Sequence, residues 1–235
     1  MNETKEVIEE KKENEVLMHT CCAPCSVSCI EMLREEKYEP VLFWYNPNIH
    51  PYTEYQKRLD SLWEYSMNIG VELIVKDEYK LKEFVEEAIK DIENRCIDVC
   101  YKMRLEATAA SAVELGYKKF TTTLLVSPYQ DTEMLIEIGK ELAEEYKLEF
   151  VVLDFKSRFR EGQTKAKDLG LYMQKYCGCI FSEAERYKRN TWTIKTNNKA
   201  KNIKEEKDKE KIKEELVKEK AKEWEQEYKK NIKSK

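Results

Sequence analysis

The chain has 235 residues, of which 37% are charged, and its formal net charge at pH 7 is −4. This length suits one sizeable domain or two small ones, and it excludes a miniprotein held together mainly by disulfides. The acidic balance excludes a globally basic surface for nucleic acid, so any such contact must use a local patch or the tail.

No early stretch resembles a signal peptide, because Glu and Lys dominate residues 1–15. No apolar run is long enough to span a bilayer, so we expect no association with a membrane. The sequence therefore predicts a cytoplasmic protein. In that compartment thiols stay reduced, and clustered cysteines are more often metal ligands or catalytic groups than disulfides.

Strands and helices alternate along the predicted order of elements. This alternation predicts an α/β fold, namely a single Rossmann-like domain with a mostly parallel sheet, whose ligands bind beyond the C-terminal ends of the strands. In chain order we predict a strand at 16–19, a helix at 26–36, a strand at 41–45, a helix at 52–69, a strand at 71–75, helices at 81–89 and 99–115, a strand at 120–126, a helix at 133–146, a strand at 150–153 and a helix at 164–169.

Composition divides the chain into three parts. We predict a charged N-terminal extension over residues 1–14, an α/β catalytic metal-binding domain over 15–190 and a Lys/Glu-rich tail over 191–235. The tail carries 15 Lys against 10 Asp and Glu, and apolar residues recur in it at helical spacing. We favour a solvated tail with some helical content over an amphipathic helix that packs on the domain, on a partner or on RNA.

Cysteines form the most informative pattern in the chain. Seven of the eight fall into three tight clusters, and Cys29, one helical turn beyond the first cluster, is predicted to be a helix residue without a metal. Residues four apart share one face of a helix, and the glycine inside the last cluster allows close approach of the backbone to a bulky group. The clusters are Cys21, Cys22 and Cys25, then Cys96 and Cys100, then Cys177 and Cys179.

Two uses compete for these thiols. The segment Cys22-Ala23-Pro24-Cys25, between a strand and a helix, is typical of a thioredoxin-like dithiol oxidoreductase. A dithiol site leaves the other clustered cysteines without a role, whereas metal ligation uses all seven. Seven thiolates exceed what one tetrahedral zinc or one four-iron cluster needs, so we expect two metal centres, or one centre with free thiols. A zinc site in a non-catalytic RNA-binding module remains the alternative.

Polar residues at strand ends and near the cysteines are candidates for binding and catalysis. Those after the second strand lie in the polar segment N-P-N-I-H-P-Y, and others follow the fourth strand or flank the last two cysteine clusters. His19, beside the first cluster, is predicted to be an ordinary strand residue rather than a group that supports the metal ligands. The candidates are Asn46, Asn48, His50, Arg104, Thr122, Ser127, Tyr129, Arg160, Gln163 and Tyr176.

Six segments with distinctive residues follow one another along the chain. They are L-M-H-T-C-C-A-P-C, F-W-Y-N-P-N-I-H-P-Y-T-E-Y, R-C-I-D-V-C-Y-K-M-R-L, F-T-T-T-L-L-V-S-P-Y, F-R-E-G-Q and L-Y-M-Q-K-Y-C-G-C-I-F-S. In this order they resemble one family, the cobalamin-independent epoxyqueuosine reductases of the QueH type, which complete queuosine in tRNA. The resemblance spans residues 16–188 and leaves the tail outside. One departure concerns the middle cysteine pair, which is often C-x-x-C in the family, whereas three residues separate Cys96 from Cys100 here. Asp98, inside that insertion, is either a ligand or without a role.

The resemblance implies an oxidoreductase with a [4Fe–4S] cluster and an adjacent mononuclear iron, both held by the seven clustered cysteines. Its substrate would be tRNA carrying epoxyqueuosine, and an external electron donor would supply two electrons. The oligomeric state stays open. On this reading we expect proton donors among His50, Tyr129 and Tyr176, and substrate contacts among Asn46, Asn48, Arg104, Thr122, Ser127, Arg160 and Gln163.

Overall fold

A five-stranded parallel sheet forms the centre of the computed structural model, which describes residues 13–188 and residue 211. The order across the sheet is β3-β2-β1-β4-β5, and each neighbouring pair runs parallel. This arrangement confirms the predicted Rossmann-like α/β fold. The predicted N-terminal extension and the tail lie almost entirely outside the described residues. The strands are β1 Glu15–His19, β2 Glu39–Trp44, β3 Leu73–Val75, β4 Lys119–Thr122 and β5 Glu149–Phe150.

Seven α-helices and three shorter turns connect and cover the strands within the described residues. None of these helices has the length and apolar character needed to cross a bilayer. The helices are α1 Ala23–Glu35, α2 Tyr52–Ile69, α3 Leu81–Ala88, α4 Lys102–Leu115, α5 Thr132–Tyr146, α6 Phe159–Asp168 and α7 Ile180–Tyr187, with a π-helical turn at Cys96–Tyr101 and 3-10 turns at Thr123–Val126 and Phe155–Arg158.

The central strand β1 is buried along its whole length. A strand covered on both faces reads as a continuous apolar run, which is why Val16, Leu17 and Met18 follow one another. Helix packing is close enough to require glycine at one point, because a methyl group on Gly139 of α5 would overlap the ring of Phe150 in β5. Helix α5 therefore packs directly against β5 at this point.

The chain reverses its direction of travel across the sheet between β1 and β4. It first proceeds from β1 outward to β3, then returns to β4 beside β1 and continues to β5. In such sheets ligands bind at the C-terminal ends of the two strands that flank this switch point. Here those ends lead into Thr20–Cys22 and into Thr122–Thr123.

Several predicted boundaries are wrong for local reasons. The predicted strand at 120–126 ends at Thr122, because the Thr122 Oγ1 accepts a hydrogen bond from the Leu124 backbone N–H at 3.1 Å and caps a 3-10 turn. Helix α1 begins three residues earlier than predicted, since Pro24 is tolerated in a first helical turn. Helix α6 begins at Phe159 rather than at 164, β5 ends at Phe150, and α7 was not predicted.

Candidate metal centre

Three cysteines at the end of β1 form the tightest thiol group, which we call the triad: Cys21, Cys22 and Cys25. Their sulfur atoms all lie within 4.8 Å of one another, and the Cys21 and Cys22 sulfurs are 3.7 Å apart. All three are buried, and none forms a disulfide. Of the described residues, the triad is the only set of at least three cysteine, histidine or acidic side chains this close together. Three converging thiols are a donor set suited to a soft metal ion.

Backbone structure places the triad. Cys22 is the N-cap of α1, Cys25 lies in its first turn, and the helix dipole favours negative charge there. The Thr123 hydroxyl accepts a hydrogen bond from the Cys21 backbone N–H at 3.2 Å and donates one to the Cys21 sulfur at 3.6 Å. The switch point of the sheet thus supports the triad from both flanking strands.

The three thiols ionise differently. Hydrogen bonds with Cys22 and Cys25 hold the pKa of Cys21 well below its usual range. Burial raises the pKa of Cys22, and the hydrogen bonds that Cys25 makes with its two neighbours raise its own pKa. The triad therefore loses one of its three protons more readily than the other two.

His19 is the last residue of β1 and precedes the triad in the chain, and each of its ring nitrogens has a hydrogen-bond partner. Its Nδ1 is 2.8 Å from the Thr122 Oγ1, and its Nε2 is 3.2 Å from the Asn46 Oδ1. Because the Asn46 amide nitrogen donates to the Thr20 carbonyl at 2.9 Å, its oxygen must accept from Nε2, which leaves Nδ1 to accept from Thr122. Burial lowers the pKa of His19 to about 3, so the ring is neutral. Two predicted substrate contacts, Asn46 and Thr122, thus hold His19 in the structure.

The other four clustered cysteines form a second group, which we call the quartet: Cys96, Cys100, Cys177 and Cys179. Each pair comes from a different segment. The two pairs nevertheless lie close enough for Cys177 and Cys179 to influence the pKa of Cys96 and of Cys100. Burial raises the pKa of Cys96 and of Cys100. Cys100 and Cys179 pack with Phe84 of α3 in one apolar cluster, whereas Cys177 is exposed.

The π-helical turn Cys96–Tyr101 contains the one-residue insertion noted in the sequence. A π-helical turn is wider than an α-helical turn and accommodates an extra residue, and such turns occur frequently at functional sites. Asp98, the residue left open as a ligand, forms an ion pair with Lys102 at 3.7 Å, and both side chains are about half exposed. The ion pair gives Asp98 a surface role in the structure.

Arg104 lies in the first turn of α4 and is only 1% exposed. Its Nε donates to the Cys100 carbonyl oxygen and its Nη2 to the Cys100 sulfur, both at 2.9 Å. Sequence reasoning expected a substrate contact here. The structure instead places the guanidinium against a quartet sulfur, where its positive charge also acts on Cys177 and Cys21.

Arg58 of α2 clamps the loop that carries the last cysteine pair. Its Nη2 donates to the Tyr176 carbonyl at 2.9 Å and its Nη1 to the Cys177 carbonyl at 2.8 Å. Its Nε donates to the Glu54 carboxylate at 2.7 Å, and the Tyr172 hydroxyl donates to the same carboxylate at 2.6 Å. Sequence reasoning missed this clamp. Its signal was an opposite-charge pair four residues apart on the apolar face of a helix.

Two glutamine side chains also contact sulfur, and sequence reasoning missed both. The Gln174 amide nitrogen is 2.9 Å from the Cys22 sulfur and 3.5 Å from the Cys25 sulfur. The Gln130 amide nitrogen is 3.5 Å from the Cys177 sulfur. A glutamine amide therefore contacts each thiol group, and neither glutamine differs in sequence from an ordinary loop residue.

The loop after β2 packs against the Cys177–Cys179 turn. The His50 backbone N–H donates to the Gly178 carbonyl at 2.8 Å, and a side chain on Gly178 would come within 3.1 Å of Ile49. Asn48 and His50 are buried, and within the described residues their side-chain polar atoms have no hydrogen-bond partner. Burial lowers the pKa of His50 to about 4. Buried polar groups of this kind mark a place for a bound molecule or water.

The remaining predicted residues lie farther out or make structural contacts. The Tyr176 hydroxyl donates to the His50 carbonyl at 2.5 Å. Tyr129 is 85% exposed and packs edge-on against Phe159. The Ser127 hydroxyl accepts from the Tyr129 backbone N–H at 3.3 Å. On α6, Arg160 is exposed and Gln163 half-buried, and neither bonds to a cysteine in the described part of the chain.

Comparison with known proteins identifies what this arrangement resembles. A family model described as epoxyqueuosine reductase QueH matches residues 16–185. A protein of that name from Dehalococcoides mccartyi is 36% identical over 172 residues, which cover 73% of this chain and 94% of the relative. One from Thermotoga maritima is 36% identical over 73% of this chain and 91% of its own length. One from Helicobacter pylori is 40% identical over 71% of this chain and 49% of its own.

Proposed function

The chain belongs to the epoxyqueuosine reductase QueH family, and from this premise we propose that it reduces epoxyqueuosine in tRNA to queuosine. Both carbon–oxygen bonds of the epoxide break, a carbon–carbon double bond forms, and the oxygen leaves as water. The reaction therefore consumes two electrons and two protons. The observation that carries the proposal is the buried triad at the switch point of the sheet, inside the segment that matches the family.

The donor chemistry of the two thiol groups fits two different metal centres. Four thiolates are the usual ligands of a [4Fe–4S] cluster, which suits the quartet. Three thiols leave one coordination position open on a single metal ion, which suits the triad as the site of the mononuclear iron. When bound, such centres supply single electrons and a Lewis acid directed at the epoxide oxygen. The charges of Arg58 and Arg104 favour thiolates at both groups.

Tyr129 is the most accessible of the expected proton donors. Its side chain is exposed, and the next residue, Gln130, contacts the exposed Cys177. The Tyr176 hydroxyl, in contrast, is engaged by the His50 carbonyl, and the His50 ring is buried. We therefore propose that Tyr129 contacts the bound nucleotide, either by donating a proton to the leaving oxygen or by stacking on a base.

The tRNA and the electron donor approach from the exposed side in this proposal. Ser127, Arg160 and Gln163 remain the candidates for contact with the nucleotide, since they are at least partly exposed. Asn48 and His50 have buried polar atoms without a hydrogen-bond partner among residues 13–188, and these atoms are available to a bound group. An external donor supplies both electrons, and the reaction takes place in the cytoplasm, where tRNA is modified.

The two alternative functions receive less support. A thioredoxin-like site exposes the sulfur that attacks a partner disulfide, because exchange rates depend on access. Here Cys22 is 1% and Cys25 6% exposed, so neither sulfur is open to a protein disulfide. A zinc-binding RNA module would use four of the seven thiols and leave the other three without a role.

Metal analysis followed by turnover tests the proposal. Protein purified without oxygen should contain iron and acid-labile sulfide, show charge-transfer absorption, and convert epoxyqueuosine tRNA to queuosine tRNA with a chemical reductant. A colourless protein that turns over without iron, or one that carries only zinc, would contradict it. Tyr129→Phe and Tyr129→Ala then separate the two roles of Tyr129: loss of kcat in both indicates proton donation, whereas a raised KM in the alanine variant alone indicates stacking.

A further inference from the structure

The buried guanidinium of Arg104 has a role that the proposed function leaves unassigned. We propose that Arg104 sets the reduction potential of the metal centre held by the quartet, through a fixed positive charge and an N–H donor on the Cys100 sulfur. The inference rests on the proposed function, because it requires a redox centre at these thiols. Arg104 acts here as a positioning and tuning residue rather than as a contact to the nucleotide.

The surroundings of Arg104 lack the usual counter-ion. Within the described residues it forms no ion pair with a carboxylate, and its hydrogen bonds go to the carbonyl oxygen and the sulfur of Cys100. A buried cation without a partner costs several kcal/mol, so a folded protein that keeps one must provide an anion nearby. The anion that faces Arg104 is therefore the thiolate that a bound metal creates at Cys100, whose sulfur accepts the Nη2 hydrogen bond, and the thiolates of Cys177 and Cys21 add to it.

Two other arginines near the thiols differ in this respect. Arg58 pairs with Glu54 at 2.7 Å, and Arg95, which lies beside Cys179, pairs with Glu185 at 2.5 Å. Each of these two charges therefore has a carboxylate partner. In the described part of the chain the side-chain partner of Arg104 is a sulfur atom, so no carboxylate offsets the effect of its charge on a centre bound there.

The direction of the effect follows from elementary electrostatics. One-electron reduction adds a negative charge to the centre, and a nearby fixed cation stabilises the reduced form more than the oxidised form. Hydrogen bonds to the ligating sulfur act in the same direction, and both are established determinants of cluster potentials. Arg104 should therefore raise the reduction potential and make the centre easier to reduce.

Redox titration of the iron-loaded full-length protein, followed by electron paramagnetic resonance, tests this role. Arg104→Gln removes the charge, whereas Arg104→Lys keeps the charge and removes the planar fork of donors. Arg158→Gln is the control, because it removes one positive charge from a surface pair with Glu35. We expect the glutamine variant to disfavour reduction at least tenfold, which is about 59 mV for a one-electron couple. The lysine variant should shift less in the same direction, and the control not at all.

Each outcome decides the proposal. A loaded Arg104→Gln or Arg104→Lys protein that keeps the wild-type potential would overturn the tuning role. Loss of iron from both variants would also overturn it, since that result assigns Arg104 to assembly of the site. Failure of the proposed function is recognised separately, because the wild-type protein would then lack iron and sulfide or would not convert the tRNA.

Discussion

The triad and the quartet are built by different means. The triad comes from one short segment at the end of the central strand, and its three sulfurs already lie within 4.8 Å of one another. The quartet joins the π-helical turn Cys96–Tyr101 to a loop that follows α6, with two strands and three helices between them in the chain. The first group is therefore organised by its own backbone, and the second by contacts between distant segments.

This difference shows in what supports each group. The triad rests on the buried end of β1 and on Thr123 of the neighbouring segment. The loop of the quartet is held by Arg58, by the hydrogen bond from His50 to Gly178, and by Arg95 beside Cys179. Changes in the residues that hold the Cys177–Cys179 loop should consequently disturb the quartet more than the triad. The following experiments compare the two groups.

Removing one sulfur from each group gives the largest expected effect. Cys100→Ser should lose the iron and sulfide of a cluster, whereas Cys22→Ser should keep the sulfide and lose only the single iron. Loss of a group that only hydrogen-bonds to a metal ligand costs roughly 10–100-fold in activity. In both serine variants we expect turnover to fall by more than this, because a ligand itself is lost. Iron and sulfide quantitation and tRNA turnover measure these effects. Cys29→Ala is the control, and loss of the same metal content from both serine variants would show that the groups form one centre.

Releasing the clamp should destabilise the protein as a whole. Arg58→Gln leaves the Glu54 carboxylate without its partner and frees two backbone carbonyls of the loop. Breaking a buried ion pair in this way costs about 3–5 kcal/mol, which chemical denaturation measures. Arg34→Gln, which breaks the exposed pair with Glu39, should cost about 0–1 kcal/mol. If both variants lost the same free energy of unfolding, the buried Arg58 pair would stabilise the protein no more than the exposed Arg34 pair does, which would contradict this prediction.

Acid should weaken the support that His50 gives to the quartet. Burial lowers the pKa of His50 from 6.5 to about 4, so between these values the unfolded chain binds a proton that the folded chain does not. The contribution of a neutral His50 is present above pH 6.5 and is lost as the pH falls, by up to about 1.4 kcal/mol per pH unit. Denaturation of the wild type and of His50→Asn from pH 7 to 4.5 measures it. A stability difference that does not change with pH would contradict this prediction.

The two glutamines allow the finest comparison. Gln174→Leu removes the amide that lies 2.9 Å from the Cys22 sulfur, and we expect iron bound at the triad to be held about 10–100-fold more weakly. Gln130→Leu removes a longer contact, 3.5 Å, to the exposed Cys177, and should cost less than tenfold. Competition with a chelator measures both affinities. An equal or reversed order would show that amide contacts do not distinguish the two groups.

Sequence patterns predicted the bounds of an element well where residues close in the chain determine them. The helix over Tyr52–Ile69 was predicted with its observed bounds, because an apolar stripe runs along it and Gly70 follows in the left-handed conformation. The end of β4 was not predicted, since the Thr122 side chain competes for the backbone there. That hydroxyl also serves His19, so its role depends on a residue far away in sequence.

The roles of individual polar residues were harder to predict than their proximity to the site. Arg104 follows Cys100 by one helical turn, and that spacing correctly placed it near the thiols. Whether its guanidinium faces outward to a phosphate or inward to a sulfur is decided by the packing of α4, which buries it. Asn46 likewise follows a strand end as a binding residue would, yet its amide bonds to His19 and Thr20.

The sequence by itself determined the α/β fold, the seven clustered thiols and the position of the triad, because strand periodicity and the link from β1 to α1 act between neighbours in the chain. The tertiary structure alone decided that the quartet draws on two distant segments, that Arg58 and Arg104 donate hydrogen bonds to these segments, and that Gln174 contacts the triad. Such contacts depend on how helices pack on the sheet, and packing joins residues that no local pattern relates.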